Sequence, residues 1–273
     1  MTWAIAIGTV LALVAILGGA LYHQWRQKER LRTQLEAAAV DLENLQQACS
    51  RLVPAGVVQR LVTDHGARAD TEPAAELKVV TAMFVDLVDY SAMSERLEPA
   101  LLVNVLNGYY ERMSDAIHEH SGEVGSFVGD GIVAYFGALR PNPWQCDDAV
   151  RAAVAMRASI REYNSELDRE GLPPIAVGIG IDRGSGLAGL VGSRERRQYA
   201  FIGRPVNLAA RVQALSRIHQ VDILVTEAVR AQLNPDFVLA PMPAEPVKGF
   251  VDEVVTYAVV RERSADTGLS RVQ

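Results

Sequence analysis

Two carboxylates stand where apolar runs stop. Asp86 follows a β-branched, apolar run in "FVDLVDYS", and Asp130 sits between glycines in "GSFVGDGIVAYFG". The first stretch reads as a buried strand and the second as a hairpin with Asp130 at its tip. In a βαββ arrangement the end of the first strand and the hairpin turn can lie side by side, so both carboxylates could share one site. Hard oxygen donors at a strand end suit Mg²⁺ or Mn²⁺, which take one or two carboxylates and leave the rest of the shell to water and phosphate. The loop from Leu87 to Ser91 would then turn backbone N–H groups and the Ser91 hydroxyl toward phosphates. The plainer alternative is that Gly-Asp-Gly is only a turn. A third feature is "PVNLAAR", where Asn207 and Arg211 are four residues apart and share one face of a helix. Taken alone, that pair equally describes a solvated helix face.

The elements that must position these groups follow from periodicity. "KVVTAMFVDL" is a strand, and the helix "PALLVNVLNGYYERMSDAIHEHSG" opens at Pro99 and stops at Gly122. The hairpin comes next, then a long helix from Asp147-Asp148, where the helix dipole favours carboxylates. "IAVGIGID" and "GLAGLVG" are expected to form a second hairpin. "QYAFIG" leads into a helix from Pro205, and "VDILV", "TEAVRAQL" and "EVVTYAVV" close the domain. The order predicts an α+β fold, a ferredoxin-like βαββαβ sandwich with added strands and helices on one face of the sheet. Neither a dinucleotide fingerprint opening a helix nor a GxxxxGK[ST] loop supports a Rossmann or P-loop reading.

The first part of the chain has a different character. Residues 3–22, "WAIAIGTVLALVAILGGALY", are uncharged and long enough for one transmembrane helix. A cleaved signal peptide is the competing reading, but it calls for a basic stretch before the apolar run, and only Met1 and Thr2 precede it. Arg26, Lys28, Arg30 and Arg32 follow the span, with Tyr22 and Trp25 as interfacial aromatics, which places the later residues in the cytoplasm. Leu31, Leu35, Ala38, Leu42, Leu45, Cys49 and Leu52 alternate by four and three, the seam of a short parallel coiled coil or the apolar face of a single helix. The expected organisation is an anchor over 1–23, a stalk over 24–53, a linker over 54–76, a globular domain over 77–260 and a tail over 261–273. A net charge of −6 disfavours nucleic acid as a partner. Two cysteines without ligand spacing, Cys49 and Cys146, fit a reducing compartment.

"FVDLVDYS", "GSFVGDGIVAYFG", "YAFIGRPVNLAAR" and "VKGF", in this order and at these separations, resemble the catalytic domain of class III nucleotidyl cyclases, over roughly residues 77–260. The resemblance implies that Asp86, Asp130 and the carbonyl of Leu87 hold two Mg²⁺ or Mn²⁺ ions. It also implies that Asn207 and Arg211 orient the ribose and stabilise the transition state, and that Lys248 lies near the triphosphate. The implied reaction closes a nucleoside triphosphate, with ATP expected, to a 3′,5′-cyclic nucleotide and pyrophosphate. The family's sites form between two catalytic domains, so a homodimer is implied, tethered to the inner membrane by the anchor.

Three positions depart from the family pattern. Ser126 and Ala200 stand at the base-facing positions and match neither the adenylate nor the guanylate signature. This leaves GTP or a pyrimidine nucleotide as alternative substrates. Asp89 occupies the phosphate loop where glycine is frequent. A catalytically silent nucleotide-binding or dimerisation module is the alternative from another class.

Overall fold

The computed structural model describes residues 75–193, 197–250 and 252–263, together with a separate helical piece at residues 23 and 26–29. The anchor, stalk and linker expected from the sequence lie outside the described residues, apart from that piece. No helix among the described residues is long and apolar enough to cross a membrane.

The strands are β1 (Glu76–Leu87), β2 (Gly122–Val128), β3 (Gly131–Phe136), β4 (Val177–Gly192), β5 (Arg197–Ile202), β6 (Ile223–Thr226), β7 (Phe237–Pro241) and β8 (Thr256–Glu262). The helices are α1 (Tyr90–Arg96), α2 (Pro99–Glu119), α3 (Gln145–Arg169), α4 (Arg204–His219) and α5 (Glu227–Arg230). One sheet runs in the order β2-β3-β1-β4-β6-β8-β7, with β5 hairpinned on β4. Its β2-β3-β1-β4 portion is antiparallel throughout and has the strand order of a ferredoxin-like core. The terminal strands β2 and β7 each carry a register shift, at Val124/Ser126 and at Val238/Leu239.

The alternation of β1 divides the interior. Met83, Val85 and Leu87 join the core built with α2 and α3, while Val80 and Ala82 pack on the opposite face with Val133, Tyr135, Phe201 and Ala209 of α4. Helices therefore cover both faces, a correction to the one-sided sandwich read from the sequence. The cause is in β4, whose glycines leave a bare track under α4. A side chain at Gly180 would collide with the carbonyl of Ala209 and the backbone N of Gln213, and one at Gly184 would lie 2.8 Å from Pro205.

A second correction concerns the expected hairpin at residues 175–192. β4 is one unbroken strand of 16 residues. Asp182-Arg183-Gly184-Ser185, which reads as a turn, instead continues the ladder opposite Ala82, Thr81, Val80 and Val79. Twelve consecutive pairings with β1 outweigh the local turn preference. Residues 184–189 do spell GxGxxG, but they lie inside this strand and open no helix, so the motif carries no dinucleotide meaning here.

On the other face α2 buries Val105, Tyr109, Met113, Ala116 and Ile117, a stripe at helical spacing, and starts with proline at a position where no N–H is needed. Asp147 and Asp148 lie in the first turn of α3, as the sequence predicts.

Candidate active site

Asp86 is the penultimate residue of β1 and faces the α4 side of the sheet. Its strand ends beside the β2–β3 turn because β1 and β3 pair in register up to Val85↔Ile132. The turn is made possible by Gly129, whose φ of +61° favours a residue without a side chain. Gly131 is needed for a different reason. A Cβ there would sit 3.3 Å from the Asp86 carboxylate and 3.1 Å from the Phe84 ring. The pair of glycines around Asp130 is therefore one hinge and one clearance, and the clearance brings the hairpin onto Asp86.

Asp86 and Asp130 lie close enough to share a hydrogen bond, and the Asp86 carboxyl is pushed up from 3.8 to about 6. Burial is the largest cause, followed by the charge of Asp130 and the hydrogen bond to it; Arg217 and a backbone N–H pull the other way. Two tyrosines of α2 border the pair. Tyr110 donates its hydroxyl to the carbonyl of Gly129, fixing the turn that bears Asp130, and its ring lies 4.7 Å from that of Phe127. Tyr109 is fully buried, and its hydroxyl finds no hydrogen-bond partner among the described residues. Burial first, then Asp86 and its other anionic neighbours, pushes its phenol up.

This donor set fits a divalent cation. Two carboxylates held together repel one another unless one is protonated or a cation lies between them. Tyr109 is an unused buried donor at the edge of that charge.

The nearby loop only partly meets its expectation. The Val88 N–H is committed to the carbonyl of Ala176 at 2.8 Å, so phosphate contacts would fall to residues 89–91. Ser91 is exposed on α1, where its carbonyl accepts the Ser94 hydroxyl. Asp89 has φ 57°, the left-handed conformation, and its carbonyl accepts the Met93 N–H. That conformation is one in which glycine is more at ease than a residue with a β-carbon.

Asn207, Arg211 and Lys248 come together elsewhere, lining a cleft of about 1230 Å³ between α4 and the loop before β8. Lys248 and Gly249 are the central residues of a turn closed by the Phe250 N–H on the Val247 carbonyl at 3.0 Å. Gly249 supplies the positive φ, +87°, that such a turn requires. Arg204 stacks 5.1 Å above the Phe250 ring and steadies the same wall. Neither Asp86 nor Asp130 lines this cleft. Ser126 and Ala200 do not line it either; both are half-buried, Ser126 opposite Val133 and Ala200 opposite Gly189.

Two participants escape sequence reasoning. Asp182, on β4, is buried in the wall of the cleft, accepts the Thr226 hydroxyl at 2.6 Å, and has a second oxygen without a partner among the described residues. It looks like a turn residue in "GIDRGSG" and becomes a site residue only once β4 is known to be continuous. Arg217 of α4 donates to the Leu87 carbonyl at 2.8 Å. Six positions beyond Arg211, it shares no helix face with the Asn/Arg pair, and no spacing rule singles it out.

Comparison with known proteins gives a consistent result. The family model of the adenylate and guanylate cyclase catalytic domain matches residues 72–261. The chain is 31% identical over 187 residues to adenylate cyclase 1 of Rhizobium meliloti (strain 1021), covering 68% of this chain and 28% of that protein. It is 36% identical over 165 residues to the adenylate cyclase of Anabaena cylindrica, 59% of this chain and 32% of that one. The chain thus spans about a third of the length of the curated relatives it matches. Among solved structures, the guanylyl cyclase Cya2 aligns with a TM-score of 0.66 at 29% identity, covering 71% of this chain and 98% of that one. The adenylyl cyclase CyaB from P. aeruginosa also aligns at 0.66, with 27% identity and coverages of 70% and 98%. Four motifs in order, the fold and a family match spanning most of the chain agree: the chain belongs to the adenylate and guanylate cyclase catalytic domain family.

Proposed function

We propose that this protein is a membrane-anchored nucleotidyl cyclase that closes a nucleoside triphosphate, ATP by preference, to a 3′,5′-cyclic nucleotide and pyrophosphate at sites shared by two copies. The observation that carries this reading is the separation of the two residue sets. The carboxylate pair lies at the β1 end and the hairpin tip, whereas Asn207, Arg211 and Lys248 line a cleft that neither carboxylate reaches. One chain holds two half-sites, and a second copy completes each.

In the complete site Asp86, Asp130 and the Leu87 carbonyl would hold the two Mg²⁺ or Mn²⁺ ions that the reading calls for. When bound, such ions lower the pKa of the attacking ribose hydroxyl and neutralise the leaving triphosphate. Asn207 of the other copy orients the ribose. Arg211, permanently charged and planar, meets the negative charge that develops around the α-phosphate. Lys248 and Ser91 bind the phosphates. Ser126 and Ala200 face the base with one short hydroxyl and a methyl group, so base selection rests on few hydrogen bonds. What supports ATP as the first reading is that the curated relatives cited above are named adenylate cyclases. The guanylyl cyclase Cya2, at 29% identity, supports GTP as the second reading. The anchor and stalk rest on the apolar span, its basic flank and the heptad spacing.

The test is direct. The full chain is incubated with ATP, GTP, CTP or UTP and with Mn²⁺ or Mg²⁺, and products are identified by mass. Cyclic 3′,5′-AMP and pyrophosphate are expected, in excess over the other cyclic nucleotides. No cyclic product from any triphosphate, with a dimer verified, would leave only a silent binding or dimerisation module.

A further inference from the structure

The carboxylate pair has a neighbour that neither its motif nor the proposed reaction uses. Arg217, near the C-terminal end of α4, places Nη2 2.8 Å from the Leu87 carbonyl and 3.9 Å from Oδ2 of Asp86. These are two of the three groups assigned above to a divalent cation. A guanidinium has no acceptor atoms and cannot be deprotonated, so it serves here as a fixed positive charge resting on the site's own donors. A metal ion at the Leu87 carbonyl needs the same oxygen and brings two further positive charges to within a few ångströms of that guanidinium. The oxygen has a second lone pair, but the two cations repel one another across it, so each weakens the other's hold.

Arg217 is free to give way. Its side chain is 46% exposed. Swinging outward takes it along a separate hollow of about 420 Å³ beside Val88 and Asp89. Its position follows from the fold. Asp86 points to the α4 face of the sheet, and β1 ends beneath the last turn of α4.

We propose that Arg217 is a resident cation that competes with a divalent ion for the Leu87 carbonyl and the Asp86 carboxylate, so that it sets the metal concentration at which the site fills. The inference rests on the metal-site reading above. It predicts that removing the guanidinium makes metal binding easier, the reverse of what loss of a supporting residue does.

The experiment is a Mn²⁺ titration of the full chain without nucleotide, read by electron paramagnetic resonance of free Mn²⁺. Arg217→Gln and Arg217→Met, the second keeping the apolar stem, are expected to bind Mn²⁺ about three- to tenfold more tightly than the parent. Arg217→Lys, which keeps the charge, is expected to stay near the parent. Asp86→Asn is the control that abolishes the site. If Mn²⁺ binding is lost in Asp86→Asn but unchanged or weaker in both Arg217→Gln and Arg217→Met, Arg217 is a brace for the Leu87 carbonyl and the inference is wrong, while the metal site stands. If the parent's binding does not depend on Asp86, the metal-site reading falls and this inference with it.

Discussion

At Asp86 function is bought with stability. Its carboxyl titrates near 6 in the folded chain and at the ordinary 3.8 otherwise, so the folded state holds a proton more tightly than the unfolded one. Ionisation therefore costs folding free energy, beginning above about pH 4 and reaching its full value above about pH 6. Without metal, Asp86→Asn should be more stable than the parent by about 1–2 kcal/mol at pH 7. That advantage should vanish below about pH 4, and thermal melts across the range check it. Asp89 is strained in another way, because a β-carbon disfavours its left-handed backbone. Asp89→Gly should raise stability by about 0.5 kcal/mol, the unfolded-state freedom of glycine offsetting part of the relief. It should also lower KM for the triphosphate about two- to fivefold by removing a carboxylate from the phosphate loop, as steady-state kinetics would show. Neither consequence can be read from residue types alone. The carboxylates are visible in the sequence because apolar runs end on them, but the elevated pKa depends on a contact between residues 86 and 130, and the backbone angle of Asp89 on where α1 starts.

At the level of elements, the helices and the first hairpin are legible because their apolar spacing is regular and their ends are marked, by Pro99 and Gly122 for α2 and by Pro205 for α4. β4 is not. Its middle carries Asp, Arg, Gly and Ser, a turn composition, yet pairing with β1 on one side and with β5 and β6 on the other keeps it extended. Its glycines serve packing, not turning. Gly180→Ala should therefore be severe, since the added methyl meets backbone atoms of α4 that cannot rotate away. A loss of about 3 kcal/mol or more is expected, together with reduced kcat as Asn207 and Arg211 shift with the helix. Denaturant unfolding and turnover measured on the same sample would reveal both. Retained stability with normal turnover would show that α4 can slide on the sheet.

On the proposed reading, the whole molecule divides its chemistry between the carboxylate pair and the cleft lined by Asn207, Arg211 and Lys248. Mixing Asp86→Ala with Arg211→Ala should restore activity from two inactive proteins, because the heterodimer keeps one intact carboxylate pair facing one intact cleft. Random assortment limits recovery to about a quarter of the parent, half the dimers being mixed and each having one of two sites. A mixture that stays inactive, with heterodimers verified, would mean that each site is built within a single chain. The register shifts in β2 and β7 bear on how the copies can meet. Those strands end the main run of the sheet, where unpaired N–H and C=O groups could otherwise recruit another strand. A kink in each border spoils the straight template that strand-by-strand extension requires. At these two ends the fold thus resists the endless ribbons that concentrated sheet proteins are prone to form.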